Sequence, residues 1–200
     1  MRSSITTLLV SAGIPILLGA PPPQAAAPPL VAVKFLSLFD ELRSAESRTG
    51  GAAPHVAFQL AESEINEYLR YSLRTTPRPG LDSVTVKLFP HNYVSTFTVV
   101  DFDAVERWRP GAIPALLRPL LQGKKSVWVD FRFQAAHSRL TFSVEKAYYQ
   151  NTRLPALLVE KIIQIVAARQ PERFDTTKPL PIPFGLTQLW SADRVIHGEN

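Results

Sequence analysis

Four histidines, at positions 55, 91, 137 and 197, are the chain's imidazoles, and none shares an H-E-x-x-H spacing that would set two metal ligands on one helix face. Three of them fall at strand edges or turns, which reads as solvated or structural histidine. Asp101, Asp103 and Glu106 form the one close acidic cluster. They open like a calcium loop but lack its turn glycine and terminal glutamate, and they suit a strand end followed by a helix cap equally well. No G-x-S-x-G, G-x-x-x-x-G-K-[ST] or G-x-G-x-x-G occurs, so a hydrolase elbow, a P-loop and a dinucleotide fingerprint have no support. The absence of cysteine excludes disulfides, zinc–thiolate and iron–sulfur sites, a cysteine nucleophile and a lipidated N-terminal cysteine. An enzyme would have to assemble scattered residues that no sequence pattern marks.

Two basic clusters remain. Arg107, Trp108 and Arg109 set an aromatic between two cations, and Gly123, Lys124, Lys125 and Ser126 make a basic turn. A ring flanked by cations suits the headgroup zone of a membrane, and it also describes a half-buried Trp stacked by arginine. The net charge of +5 is mild and its basic residues are dispersed, which argues against nucleic acid.

Those residues must be carried by a chain of 200 residues, 46% hydrophobic and 20% charged, enough for one domain with a real core. Met1 and Arg2 precede an apolar stretch over residues 5–20, which has the form of a signal-peptide core. Residues 1–27 therefore read as a signal peptide with a Pro/Ala-rich spacer, residues 28–52 as an N-terminal helix and linker, and residues 53–200 as the main domain. Pro28 follows the small-residue positions Ala25 and Ala27, so both cleavage and retention as a membrane anchor stay open. Export to the periplasm or outside the cell is the expectation.

In residues 30–44, Phe35, Leu38, Phe39 and Leu42 fall on one helical face. Residues 55–60 alternate as a short strand, and residues 63–74 form a helix with Ile65, Tyr68, Leu69 and Leu73 on one stripe. Glu62, Glu64 and Glu67 lie near the positive end of its dipole, as capping charges. Residues 81–102 read as a hairpin turning at Pro90, His91 and Asn92. Residues 103–123, broken by prolines, make a crossing segment of short helical turns. Ser126–Gln134 is a strand with Val127, Val129, Phe131 and Phe133 on one face and Trp128, Asp130 and Arg132 on the other. Its partner runs over residues 139–149, with Leu140, Phe142 and Val144 inward. Leu154 and Pro155 then open a long helix whose apolar surface, including Leu158, Ile162 and Ile165, is wider than one packing partner requires. Phe184–Trp190 and Arg194–His197 suggest a last hairpin. The plan is α+β, with a strongly curved antiparallel sheet wrapped around the long apolar helix.

The segments AFQLAESEINEYLRYSL (57–73), PGLDSVTVKLFP, LLRPLLQGKKSVWVDFRF, TFSVEKAYYQNTRLPALLVEKII and PLPIPFGL together resemble the bacterial exported branch of the tubular lipid-binding (TULIP) superfamily, over most of residues 55–198. The resemblance implies a helix held in a curved sheet and an apolar groove that takes acyl chains, with lipid as partner, no cofactor, no metal and no catalysis. The residues assigned to that groove are Phe97, Val99, Val129, Phe131, Phe133, Phe142, Val144, Leu158, Ile162 and Ile165. The same stripes could equally close into a solid core, leaving a periplasmic scaffold or partner-binding module as the alternative.

Overall fold

A computed structural model of the chain describes residues 27–47, 55–113, 115, 118–155, 158–159 and 178–200. The protein is α+β, with antiparallel sheets. Its elements are α1 (Leu30–Ser47), β1 (Ala57–Ala61), α2 (Glu62–Thr75), β2 (Leu81–Phe89), β3 (Tyr93–Asp101), α3 (Phe102–Trp108), β4 (Lys124–Ala136), β5 (Arg139–Tyr149), β6 (Thr152–Arg153) and β7 (Leu180–Pro181). A 3-10 turn (Pro183–Gly185), β8 (Gln188–Ala192) and β9 (Val195–Glu199) complete them.

Strands β2-β3-β4-β5-β6 pair in that order, with β7 also against β5, and a separate sheet runs β1-β9-β8. One sheet was expected, because β1 and the C-terminal hairpin lie at opposite ends of the chain and nothing local joins them. Their pairing, Ala57 opposite Glu199 through Ala61 opposite Val195, is long-range. The tail hairpin also starts later than its apolar pattern suggests. Phe184 belongs to the 3-10 turn, at φ 62°, where its buried ring stacks on Phe39 at 5.6 Å. Of the residues expected to form the long apolar helix, Leu158 and Val159 are helical, and Ile162 and Ile165 lie outside the described residues, as do residues 1–26, where a signal peptide was expected.

The core explains why α1 forms where it does. Phe35 and Leu42, on its apolar face, are among the most completely buried side chains, and they join Ile65 and Leu69 of α2, Leu88, Val94, Phe133 and Leu140 of the large sheet, and Ile182, Phe184 and Leu186. Phe35 stacks flat on Tyr68 at 4.4 Å. Thus α1 shares the core of the segment that follows it rather than forming a separate unit.

Helix α2 runs along β2, the edge strand of the large sheet. Asn66 does there what another strand would do: its amide N–H donates to the Val86 carbonyl at 2.8 Å, and its oxygen accepts from the Val86 N–H at 2.7 Å. One turn earlier, Glu62 accepts from the Leu88 N–H at 2.8 Å, so this carboxylate closes the sheet edge rather than merely capping the helix. The spacings match, because four helical residues and two strand residues both advance about 6 Å. The helix cap falls to Glu64, which accepts from the Ala61 N–H and pairs with Lys34 of α1. On the next strand over, the C-terminal hairpin is fixed to the β2–β3 turn: Ser191 donates to Asn92 Oδ1 through its N–H and to the Phe89 carbonyl through its hydroxyl. Gly198 lies opposite Phe58, and a Cβ there would come within 2.4 Å of the ring.

Two predictions follow from these contacts. Asn66→Ala leaves both polar groups of Val86 without their partner and should cost about 2 kcal/mol in denaturant unfolding. The variant should also self-associate in sedimentation experiments, because it reopens a strand edge. For Glu64, the hydrogen bond from Lys34, then that from the Ala61 N–H, hold the carboxyl below its ordinary range. Its contribution is therefore present at neutral pH and is lost as pH falls through and below that range. Glu64→Gln should lower stability at pH 7, and an acid titration should show the gap to the parent protein closing.

Candidate functional site

The register sorts the residues of the large sheet onto two faces, since paired residues project to the same side. One face carries Val84, Val86 and Leu88 of β2, Val94, Thr96 and Thr98 of β3, Val127, Val129, Phe131 and Phe133 of β4, and Leu140, Phe142 and Val144 of β5. This inner face has two ends of different character. Phe133, Leu140, Leu88 and Val94 are buried in the core under α1, α2 and the 3-10 turn. Val129, Phe131, Phe142 and Val144 are only half-buried, with Phe131 and Phe142 in edge contact at 6.0 Å. Leu158 is half-buried at the start of the following helical residues.

Phe97 and Val99 do not join them. Phe97 is opposite Trp128 and Val99 opposite Ser126, so both project from the outer face. Alternation along β3 is apolar on both sides over residues 97–100, and only the long-range register with β4 decides which side faces in.

A cleft of about 310 Å³ opens at the β5 edge. Its lining is apolar at Val144, Ala147, Leu154, Pro155 and Val159 and polar at Glu145, Lys146 and Arg153. The local backbone builds it in two steps. The chain reverses after Tyr149 through Gln150, at φ 55°, into β6, and Leu154 N–H then donates to the Ala147 carbonyl at 2.8 Å. Pro155 begins a helical turn, accepting from the N–H groups of Leu158 and Val159, at a position where its own missing N–H costs nothing. On the other side, β5 is bulged: Asp130 is opposite Lys146 and Phe131 opposite Val144, leaving Glu145 as an extra residue. The bulge turns Ala147 and Tyr149 inward and leaves Glu145 and Lys146 both exposed. Glu145 pairs with Arg132 at 3.2 Å, whereas Lys146 and Arg153 have no acidic partner among the described residues. The cleft therefore joins apolar walls to a rim on which Lys146 and Arg153 are unpaired by acid among the described residues.

Strict alternation along residues 139–149 hides Ala147 and Lys146 from a sequence reading. The pair Glu145–Lys146, two consecutive polar residues in an otherwise alternating strand, is the signal that could have revealed them.

The other chemical candidates resolve into structure. Asp101 accepts from the Ala104 N–H at 2.9 Å as the cap of α3, Asp103 accepts from the Gly123 N–H, and Glu106 accepts from the N–H groups of Gly111 and Ile113 and pairs with Arg118 at 2.9 Å. Among the described residues no three histidines or carboxylates are grouped to hold a metal ion. His91 and His137 sit in turns at positive φ, and His197 stacks on Trp190 at 5.1 Å. Trp108 is exposed at the end of α3. Burial and then its hydrogen bond to Asp130 raise the Tyr93 phenol above its ordinary value, on a face where Arg132 lies 5.1 Å over the Tyr93 ring. In comparisons with known proteins, no family model matches the chain, and no curated protein or solved structure does.

Proposed function

We propose that the protein is an exported, non-enzymatic lipid-binding or lipid-transfer protein of the periplasm or extracellular space, and that it holds an acyl chain beside β5. In this reading the large sheet curves strongly around a long apolar helix, as in the tubular lipid-binding proteins that the sequence resembles. The observation that carries it is the cleft lined by Val144, Ala147, Leu154, Pro155 and Val159 and rimmed by Lys146 and Arg153. Apolar walls favour an acyl chain by about 0.8 kcal/mol per buried methylene, and a cationic rim favours an anionic or zwitterionic head group. The half-buried end of the inner face, from Val129 to Phe142, supplies further apolar surface next to Val144.

A second reading, a scaffold or partner-binding module with a solid interior, draws on the close packing of Phe133 and Leu140 with Phe35 and Leu42. One variant separates the two. Val144→Trp places a large ring in the cleft from a half-buried position. In a lipid carrier, native mass spectrometry and organic extraction should find lipid with the parent protein and little with the variant, while Tm moves by no more than about 4 °C. A parent protein that never carries lipid, together with a variant destabilised by overpacking of about 1 to 3 kcal/mol, would establish the solid interior instead.

A further inference from the structure

The outer face of the large sheet carries two adjacent rows that run across the strands. Phe97, Trp128 and Tyr148 are opposite one another in register and lead to Arg153, and the next row runs Lys87, Ser95, Asp130, Lys146. Phe97 is 42% exposed and Trp128 45%, large values for rings at the centre of a sheet. The indole is nevertheless held rigidly. Its N–H donates to Ser95 Oγ at 2.6 Å and Asp130 Oδ1 at 2.7 Å, and both acceptors are more than nine-tenths buried beneath it. The polar atom of Trp128 is therefore turned into the protein and only its carbon surface faces out, which suits an apolar contact and offers nothing to a ligand that needs a hydrogen bond from the indole.

Charge on this face leans positive, with Asp101 at its end taken up as the cap of α3. Asp130 is covered, Glu145 is neutralised by Arg132, and Asp82 by Lys124 at 2.6 Å. Lys87, Lys146 and Arg153 have no acidic partner among the described residues. Exposed rings interleaved with uncompensated cations match the headgroup zone of an anionic bilayer, where rings settle between apolar and polar layers and each cation is attracted by the surface potential. We propose that this face docks the protein on an anionic phospholipid membrane. The inference deepens the carrier reading and rests on it for one consequence: Lys146 and Arg153 also rim the cleft, so docking would bring the cleft mouth to the head groups.

The test uses the full chain with Trp108→Phe and Trp190→Phe, which leaves Trp128 as the sole indole. Vesicles of phosphatidylglycerol with phosphatidylcholine are compared with vesicles of phosphatidylcholine alone, some with brominated acyl chains. Because residues 5–20 are apolar and could anchor every variant alike, the readout is Trp128 emission and quenching rather than sedimentation. Docking predicts a blue shift and quenching on anionic vesicles, weakened by high salt and reduced about tenfold by Phe97→Ser and by Lys87→Glu with Lys146→Glu. Melting curves check that these exposed substitutions leave the fold intact. The proposal is overturned if Trp128 emission is indifferent to anionic vesicles or if neutral vesicles act equally. Lipid content by native mass spectrometry is read in parallel. A lipid-loaded protein whose Trp128 ignores vesicles sinks the docking face alone, and a lipid-free protein whose Trp128 enters them sinks the carrier reading alone.

Discussion

The open edge of β2 is the constraint on which the rest of this structure depends. A strand edge presents unpaired N–H and carbonyl groups that cannot be buried alone. Here Glu62 and Asn66 of α2 supply the missing partners at Leu88 and Val86, so the helix both covers the edge and is fixed in height along it. Once α2 is placed, Tyr68 offers a flat surface to Phe35, Glu64 meets Lys34, and α1 has its seat. Both edge groups of Leu88 are taken, its N–H by Glu62 and its carbonyl by the Arg194 N–H, and the Glu62 N–H in turn donates to the Arg194 carbonyl. The two sheets and α2 thus meet at one short length of strand, and α1 packs on α2.

The same sheet keeps polar groups buried at its centre only where they answer one another. Ser95 and Asp130 are satisfied by the Trp128 indole, which shields them in turn. This is why an exposed aromatic and a buried carboxylate can be neighbours in a strand whose other face is apolar. The cost of burying Asp130 without such donors would be several times the gain from a typical hydrogen bond.

Much of this was legible in the sequence where the signal is local. The helical face of Phe35, Leu38, Phe39 and Leu42, the stripe of Ile65 and Leu69, and the strands around residues 81–102 and 126–149 all follow from periodicity, and each appears within a few residues of its expected limits. What periodicity could not supply was pairing across distance. It did not show that β1 joins β9, that Phe97 and Val99 face away from Val129, or that Glu62 bonds to a strand instead of its own helix. The cleft escaped for a related reason, since a bulge is visible only as a broken alternation and its meaning depends on the partner strand. The half-buried residues Val129, Phe131, Phe142 and Val144 were legible as a stripe, but a stripe has the same pattern whether a side chain, a helix or a lipid lies against it.

The bulge at Glu145 makes β5 two half-strands of opposite phase, one with Leu140, Phe142 and Val144 turned inward and the other with Ala147 and Tyr149. The unpaired residue absorbs the change of phase, so both halves keep their apolar side chains on the inner face. Exchanging Glu145 for another polar residue preserves the phase. Deleting it would also preserve the phase, since Lys146 would follow Val144 directly, facing outward opposite Asp130 with Ala147 inward opposite Val129, so descendants of this chain can lose this one residue without turning either half-strand over, whereas losing a regularly paired neighbour would invert one half.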